Sequence, residues 1–186
     1  KNKLGKVKSN ISKKKFLDNV KKAKYYIKRG DIFQVVLSQR FQTNLNKSPL
    51  EIYKNLRVSN PSPFMYFFNF IDFQIIGASP EILVRLRDNK ITVRPIAGTR
   101  PRGKSKKRDK FYEKDLLKDK KELSEHLMLL DLGRNDAGKV SKINSVKVTE
   151  SFVIEKYSHV MHIVSNVVGQ YNKNYSKFKC LLSGFP

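Results

Sequence analysis

The chain has 186 residues, 39% hydrophobic and 11% aromatic, which is enough apolar material for one domain with a core and argues against disorder throughout. Its 39 Lys and Arg against 16 Asp and Glu leave a formal net charge of +23. That charge raises nucleic-acid binding, but the lysines are spread along the chain, and no zinc-finger spacing, RNA-recognition sheet motif or Gly-x-x-Gly clamp accompanies them.

In chain order, Ser12 is a good N-cap, Phe16, Val20, Ala23 and Ile27 recur on one helical face, and Gly30 stands where a helix stops, so an amphipathic helix is predicted there. Asp31 to Phe41 alternates apolar and polar residues and predicts a half-buried strand. A second helix starts at Ser48-Pro49 and runs to about Arg57, ended by Asn60-Pro61-Ser62-Pro63. The run from Phe64 to Phe70 predicts a buried strand. A meander follows through Ile75-Ile76 and Gly77, with Ile82 to Leu86 pairing across Asp88-Asn89 with Ile91 to Ile96. One helix is predicted over about Lys110 to Leu130, with Leu116, Leu123, Leu127 and Leu130 as its apolar stripe. Late strands are predicted near Val146–Val148 and over Tyr157 to Val168. Segregated strands and helices joined by hairpins predict an α+β fold on antiparallel sheet, as a single domain over residues 1–186 without repeats or an internal linker.

No apolar run approaches the roughly eighteen residues that span a bilayer, and the lysine-rich start lacks the apolar core of a signal peptide. The single cysteine, Cys180, has no disulfide partner and reads as a small semi-buried residue. The expected location is the cytoplasm.

Three segments carry the chemistry: R-P-I-A-G-T-R-P-R-G over Arg94 to Gly103, K-E-L-S-E-H over Lys121 to His126, and D-L-G-R-N-D over Asp131 to Asp136. Glu122 and Glu125 lie three apart on a helix and project from one face beside the leucine stripe. Two such carboxylates suit Mg²⁺, and equally they suit ion pairs with Lys118 or Lys121. Gly98-Thr99 presents a flexible backbone and a hydroxyl at a strand end, as a ligand-facing turn or as an ordinary loop. His159 and His162 fall on opposite faces of a strand, so only one of them faces a given site. Asp131 to Asp136 is read as closing the carboxylate helix, with its glycine after the last turn. Gly77 to Glu81, G-A-S-P-E, is read as structural.

These motifs, in this order and spacing, resemble the chorismate-binding family over residues 9–186, most closely its anthranilate synthase component I branch. The resemblance implies two large packed sheets flanked by helices, with the active site between them. It implies that Glu122 and Glu125 serve a Mg²⁺ holding the ring carboxylate of chorismate, and that Gly98-Thr99 lies against the ring with the Thr99 hydroxyl near the leaving C4 hydroxyl. His162 is assigned to the substrate side, as a general acid or by positioning that hydroxyl, and His159 stays structural. Ala97 stands where aminodeoxychorismate synthases usually carry a lysine able to attack chorismate. A methyl group there leaves room for ammonia at C2 and points to the anthranilate route.

In tryptophan-inhibited members a proline and a methionine matching Pro63 and Met65 lie against the indole. The resemblance implies that ammonia comes from a glutamine amidotransferase subunit. The start at Lys1 and the stop at Gly184-Phe185-Pro186 predict a chain truncated at both ends and inactive by itself. Departures are Ala137-Gly138, where a branched apolar residue precedes the glycine in the family, and lysines over residues 104–121, where relatives tend to be acidic. The alternatives are an aminodeoxychorismate or isochorismate synthase-type enzyme and, in other classes, a basic nucleic-acid-binding module or a non-catalytic remnant.

Overall fold

The structure is a computed structural model that describes residues 5–185; expectations touching residues 1–4 and Pro186 lie outside the described residues. The chain divides into two compact units, Lys1–Asn55 and Leu56–Pro186.

In the first unit, β1 (Lys8–Ser9) pairs antiparallel with β2 (Phe41–Gln42), and α1 spans Lys13–Arg29 between them. Its ends follow the sequence: Ser12 Oγ accepts from the Lys15 N–H at 3.2 Å, and Gly30 at φ +79° directs its N–H to the Ile27 carbonyl. The strand predicted over Asp31 to Phe41 is corrected. Among the described residues only its last residue, Phe41, falls in a strand, β2, because alternation makes a strand only where a partner supplies the ladder bonds. α2 (Pro49–Ser59) starts with a capping box: Glu51 N–H donates to Ser48 Oγ at 3.2 Å, and Ser48 N–H donates back to Glu51 Oε2 at 3.1 Å.

In the second unit, β3 (Phe64–Asn69) pairs with β4 (Gln74–Ser79) as a two-stranded ribbon. The expected burial of β3 is corrected. Met65 and Phe67 are half-buried, whereas Phe64 and Phe68 on the alternate face are 42% and 54% exposed, because β4 is the one strand beside it among the described residues. β5 (Arg85–Arg87) and β6 (Lys90–Val93) form the predicted hairpin, with Asp88 and Asn89 both at positive φ as a tight primed turn requires.

β6 and β7 (Ile96–Pro101) run consecutively along one edge of the long β9 (Val160–Gln170), interrupted at Arg94-Pro95. β8 (Lys147–Lys156) pairs with the same β9 residues and so takes the opposite edge. The result is a five-stranded antiparallel sheet centred on β9, which with its helices gives the α+β class expected.

The single helix predicted over 110–130 is instead two, α3 (Lys106–Leu116) and α4 (Lys120–Gly138). The chain breaks at Leu117-Lys118-Asp119, where Asp119 caps α4 by accepting from the Lys121 and Glu122 amides at 3.0 and 3.2 Å. Asp131 to Asp136 therefore does not close the helix but lies inside it. Gly133 is buried because a Cβ there would stand 3.2 Å from Val93 Cγ1, so the missing side chain lets α4 press onto β6. The inward stripe of α4 is His126, Leu130, Gly133 and Ala137, while Leu127, predicted inside, is 51% exposed. α5 (Lys177–Leu182), which the sequence reading left unassigned, starts at Ser176, whose Oγ accepts from the Lys179 amide at 3.1 Å.

Two apolar clusters anchor the sheet. Ile91, Val93, Leu130, Ala137, Val140, Val167, Tyr171 and Cys180 form one, and Leu116, Met161 and Ile163 the other. Both lie where α4 and the end of α3 cover β6, β7 and β9, which are the elements that carry the candidate site.

Candidate active site

β7 carries Ala97, Gly98 and Thr99 beside His162 on β9. The register slips between Ala97 and Thr99, so Ala97 pairs with Ile163 and Thr99 with His162. Gly98, in the slip, has φ +69°, which a side chain resists. A Cβ on it would also stand 3.0 Å from Leu116 Cδ1 and 3.3 Å from Glu122 Oε2. The glycine therefore brings the first turn of α4 directly against the β7 backbone.

His162 Nδ1 lies 2.9 Å from the Gly98 carbonyl oxygen and 3.1 Å from Thr99 Oγ1. A carbonyl only accepts, so Nδ1 carries the proton and donates to it, which leaves Nε2 as the ring nitrogen open to a ligand. Tyr157 packs edge-on against this ring, with centroids 5.4 Å apart. Burial, followed by the hydrogen bond to Glu155, pushes the Tyr157 phenol up to about 12, so it stays protonated and donates to Glu155 Oε2 at 2.9 Å. His159 was expected on the opposite face of one strand from His162; that is corrected, because β9 begins at Val160 and the exposed His159, in the turn before it, lines the same cavity as His162.

The carboxylate pair stands at the N-terminal end of α4, where the helix dipole favours negative charge. Glu122 is 17% and Glu125 35% exposed at the side chain. Lys121 Nζ lies 3.0 Å from Glu122 Oε1 and 3.5 Å from Glu125 Oε2, so the lysine partner foreseen as the bland alternative is present. The pair also fits Mg²⁺, which takes one or two carboxylates and keeps water or substrate oxygens elsewhere. No group of three or more His, Cys, Asp or Glu placed to hold a metal occurs among the described residues, so two carboxylates would be the contribution of this chain.

Arginines fix this geometry. Arg100 Nε donates to Asp115 at 2.6 Å and its Nη2 to the α4 cap Asp119 at 2.8 Å, tying β7 to the end of α3 and the start of α4. Arg102 pairs with Asp109, which also accepts from the Gly103 amide at 2.5 Å; these bonds hold the Asp109 carboxyl down to about 2. On the inner face of α4, His126 Nε2 meets Ser165 Oγ of β9 at 2.7 Å, and the same Oγ accepts from the Phe152 amide at 3.0 Å. Burial holds His126 below the usual imidazole range, so it remains neutral.

Glu81 is a residue the sequence reading passed over as structural. It accepts from the Ile96 amide at 3.2 Å, and burial raises its carboxyl above the usual range, offset by that bond and by an electrostatic interaction with His162. The signal was its place directly after a strand, in Gly-Ala-Ser-Pro-Glu. Pro63 and His162 line one cavity of about 350 Å³ with Pro80 and Tyr157, whereas Met65 is not among its lining residues. Of the residues singled out from the sequence, the structure thus groups Ala97, Gly98, Thr99, His162 and Glu122, with Glu125 joined through Lys121 and Pro63 across the cavity.

Among the described residues no helix is long and apolar enough to cross a membrane. The chain is 58% identical over 183 residues to anthranilate synthase component 1 of Cereibacter sphaeroides, covering 98% of this chain and 37% of that protein. It is 54% identical over 178 residues to the same component of Aquifex aeolicus, covering 96% of this chain and 36% of the relative. The chain thus spans somewhat over a third of the length of these relatives. The crystal structure of anthranilate synthase component I from Streptococcus pneumoniae superposes with a TM-score of 0.87 at 42% identity, covering 98% of this chain and 40% of that one. The menaquinone-specific isochorismate synthase of Escherichia coli shares the fold, with a TM-score of 0.76 at 15% identity over 97% of this chain and 42% of that one. The family model of the chorismate binding enzymes matches residues 1–186, and the chain belongs to that family.

Proposed function

We propose that this chain is the chorismate-binding part of an anthranilate synthase component I, converting chorismate and ammonia to anthranilate, pyruvate and water as the committed step toward tryptophan. The observation that carries this reading is the grouping of His162, Thr99 and Gly98 through hydrogen bonds of 2.9 and 3.1 Å, with the Glu122 carboxylate against the same glycine. Identities of 54% and 58% to proteins named anthranilate synthase component 1 support the branch within the family.

Mg²⁺ on Glu122 and Glu125 would neutralise and anchor the ring carboxylate of chorismate. Gly98, with no Cβ, lets the Glu122 carboxylate close on β7, the ring lies against the Gly98-Thr99 segment, and the Thr99 hydroxyl and His162 orient the C4 hydroxyl. Nδ1–H is occupied by the Gly98 carbonyl, so Nε2 faces that hydroxyl; in the doubly protonated imidazolium it delivers its proton as the hydroxyl departs as water, leaving the neutral Nδ1–H ring. Ammonia forms the new bond at C2 as the C4–O bond breaks and water leaves; loss of the enolpyruvyl group as pyruvate then aromatises the ring. Ala97 supplies no amine, so the nucleophile is ammonia and not a side chain. The enzyme's work is positioning and charge stabilisation. Ammonia comes from a glutamine amidotransferase partner, the counterpart that the name "component 1" implies for the relatives. Pro63 and Met65 belong to a tryptophan-responsive site in the same proposal.

Glu125→Gln in the full-length protein is expected to lower Mg²⁺-dependent kcat/KM roughly a hundredfold. A near-native rate removes the metal role. Mass spectrometry of enzyme stalled with chorismate without ammonia is expected to show unmodified protein. A covalent adduct would move the assignment to the lysine-type relatives or to another nucleophile on this chain.

A further inference from the structure

The carboxylate pair already has a cation. Lys121 Nζ is 3.0 Å from Glu122 Oε1 and 3.5 Å from Glu125 Oε2, and among the described residues no other cation is within ion-pair distance of either. The neighbouring charges are committed elsewhere: Arg100 is held by Asp115 and Asp119, and Arg102 by Asp109. Glu122 sits against the Gly98 backbone and is 17% exposed, so it cannot swing far into water, whereas the Lys121 side chain is 75% exposed and mobile by nature. Two carboxylates one helical turn apart repel each other, and a bridging ammonium relieves that repulsion.

From this geometry we infer that Lys121 is a built-in counter-ion of the carboxylate pair, displaced when a divalent cation enters, so that it sets how tightly the pair takes Mg²⁺ and keeps the site half-neutralised without it. The inference rests on the metal role proposed for Glu122 and Glu125. An ammonium and a divalent ion held by the same pair of carboxylates repel each other at close range, so entry of the metal favours departure of the lysine. The outward path of the displaced side chain is open, because Lys121 stands on the exposed side of the first turn of α4. The device makes metal entry an exchange of cations rather than the filling of a bare, doubly charged pair. It also disfavours occupation by weakly held ions, which must outcompete the lysine.

The test measures divalent-ion binding on the full-length protein, separately from turnover. Mn²⁺ binding is followed by electron paramagnetic resonance and Mg²⁺ binding by titration calorimetry, each with and without chorismate. Thermal melting with and without Mg²⁺ gives a second readout. Lys121→Met is expected to bind both ions on the order of fivefold more tightly than wild type. It is also expected to melt lower without metal and to gain more from added Mg²⁺. Lys121→Arg, which keeps the cation, should bind as wild type does or more weakly.

Unchanged or weaker binding in Lys121→Met, with wild-type binding intact and abolished by Glu122→Gln, overturns the counter-ion role and leaves the metal role standing. Wild-type binding that Glu122→Gln and Glu125→Gln leave untouched, or no wild-type binding in any of these measurements, overturns the metal role itself.

Discussion

Gly98 joins three constraints at one residue: a positive φ, a register slip in β7, and van der Waals contact with Leu116 and Glu122. A side chain would be strained by the backbone and would push the carboxylate away. Gly98→Ala is expected to cost about 1–2 kcal/mol from the backbone alone, read as a lower urea midpoint. The metal affinity proposed for Glu122 should fall with it, because its Oε2 must shift.

Asp109 behaves differently, since its contribution depends on pH. Arg102 and the Gly103 amide lower its folded value to about 2 from an ordinary 3.8. A lowered carboxyl contributes stability that is present above the unfolded value and lost as pH falls through the folded one. Asp109→Asn should therefore destabilise at pH 7, and the difference from wild type should shrink between about pH 4 and pH 2 in denaturant melts. A difference that stays constant across that window would assign the effect to packing rather than charge.

At the scale of elements, the break between α3 and α4 puts the carboxylates at a helix start instead of mid-helix. Leucines at helical spacing over residues 116–130 read as one stripe, and the interruption is a cap whose partner, Arg100, lies on a strand remote in sequence. The pairing of that cap with Arg100 is a contact no local pattern reveals. Arg100→Lys keeps the charge but loses the fork that reaches Asp115 and Asp119 together. The Glu122 amide, which bonds to Asp119, is expected to exchange its hydrogen severalfold faster in that variant, with the α1 amides unchanged.

The inward stripe of α4 shows the same limit. Leu127 was expected inside on hydrophobicity, but His126 takes that place because Ser165 on β9 gives its ring a partner that no local pattern reveals.

At the scale of the molecule, the second unit is organised by β9, which pairs with β6, β7 and β8 and supplies Met161, Ile163, Val164 and Val167 to the interior at 0% exposure. Met161 packs with Leu116 and Ile163 directly beneath the site elements. Met161→Ala is expected to cost about 2–5 kcal/mol by thermal or urea melting. The thermal signature of α1, which belongs to the other unit, is expected to change less.

The exposed face of β3, with Phe64 and Phe68, shows where composition misleads. An apolar run predicts burial, but burial needs a neighbour to cover the run, and β3 has β4 alone beside it among the described residues.

Local chemistry written in the sequence determined α1 with its Ser12 and Gly30 ends, α2 with its Ser48 start, the Asp88-Asn89 hairpin and the residue types of the site. Each of these depends on neighbours a few positions away, where backbone preference and hydrogen bonding act without the rest of the fold. Tertiary structure decided the pairing of Thr99 with His162, the approach of Glu122 to Gly98 and the raised carboxyl of Glu81. These contacts join residues brought together by the β9 register and by the packing of α4, and that packing energy is summed over a sheet no short window contains.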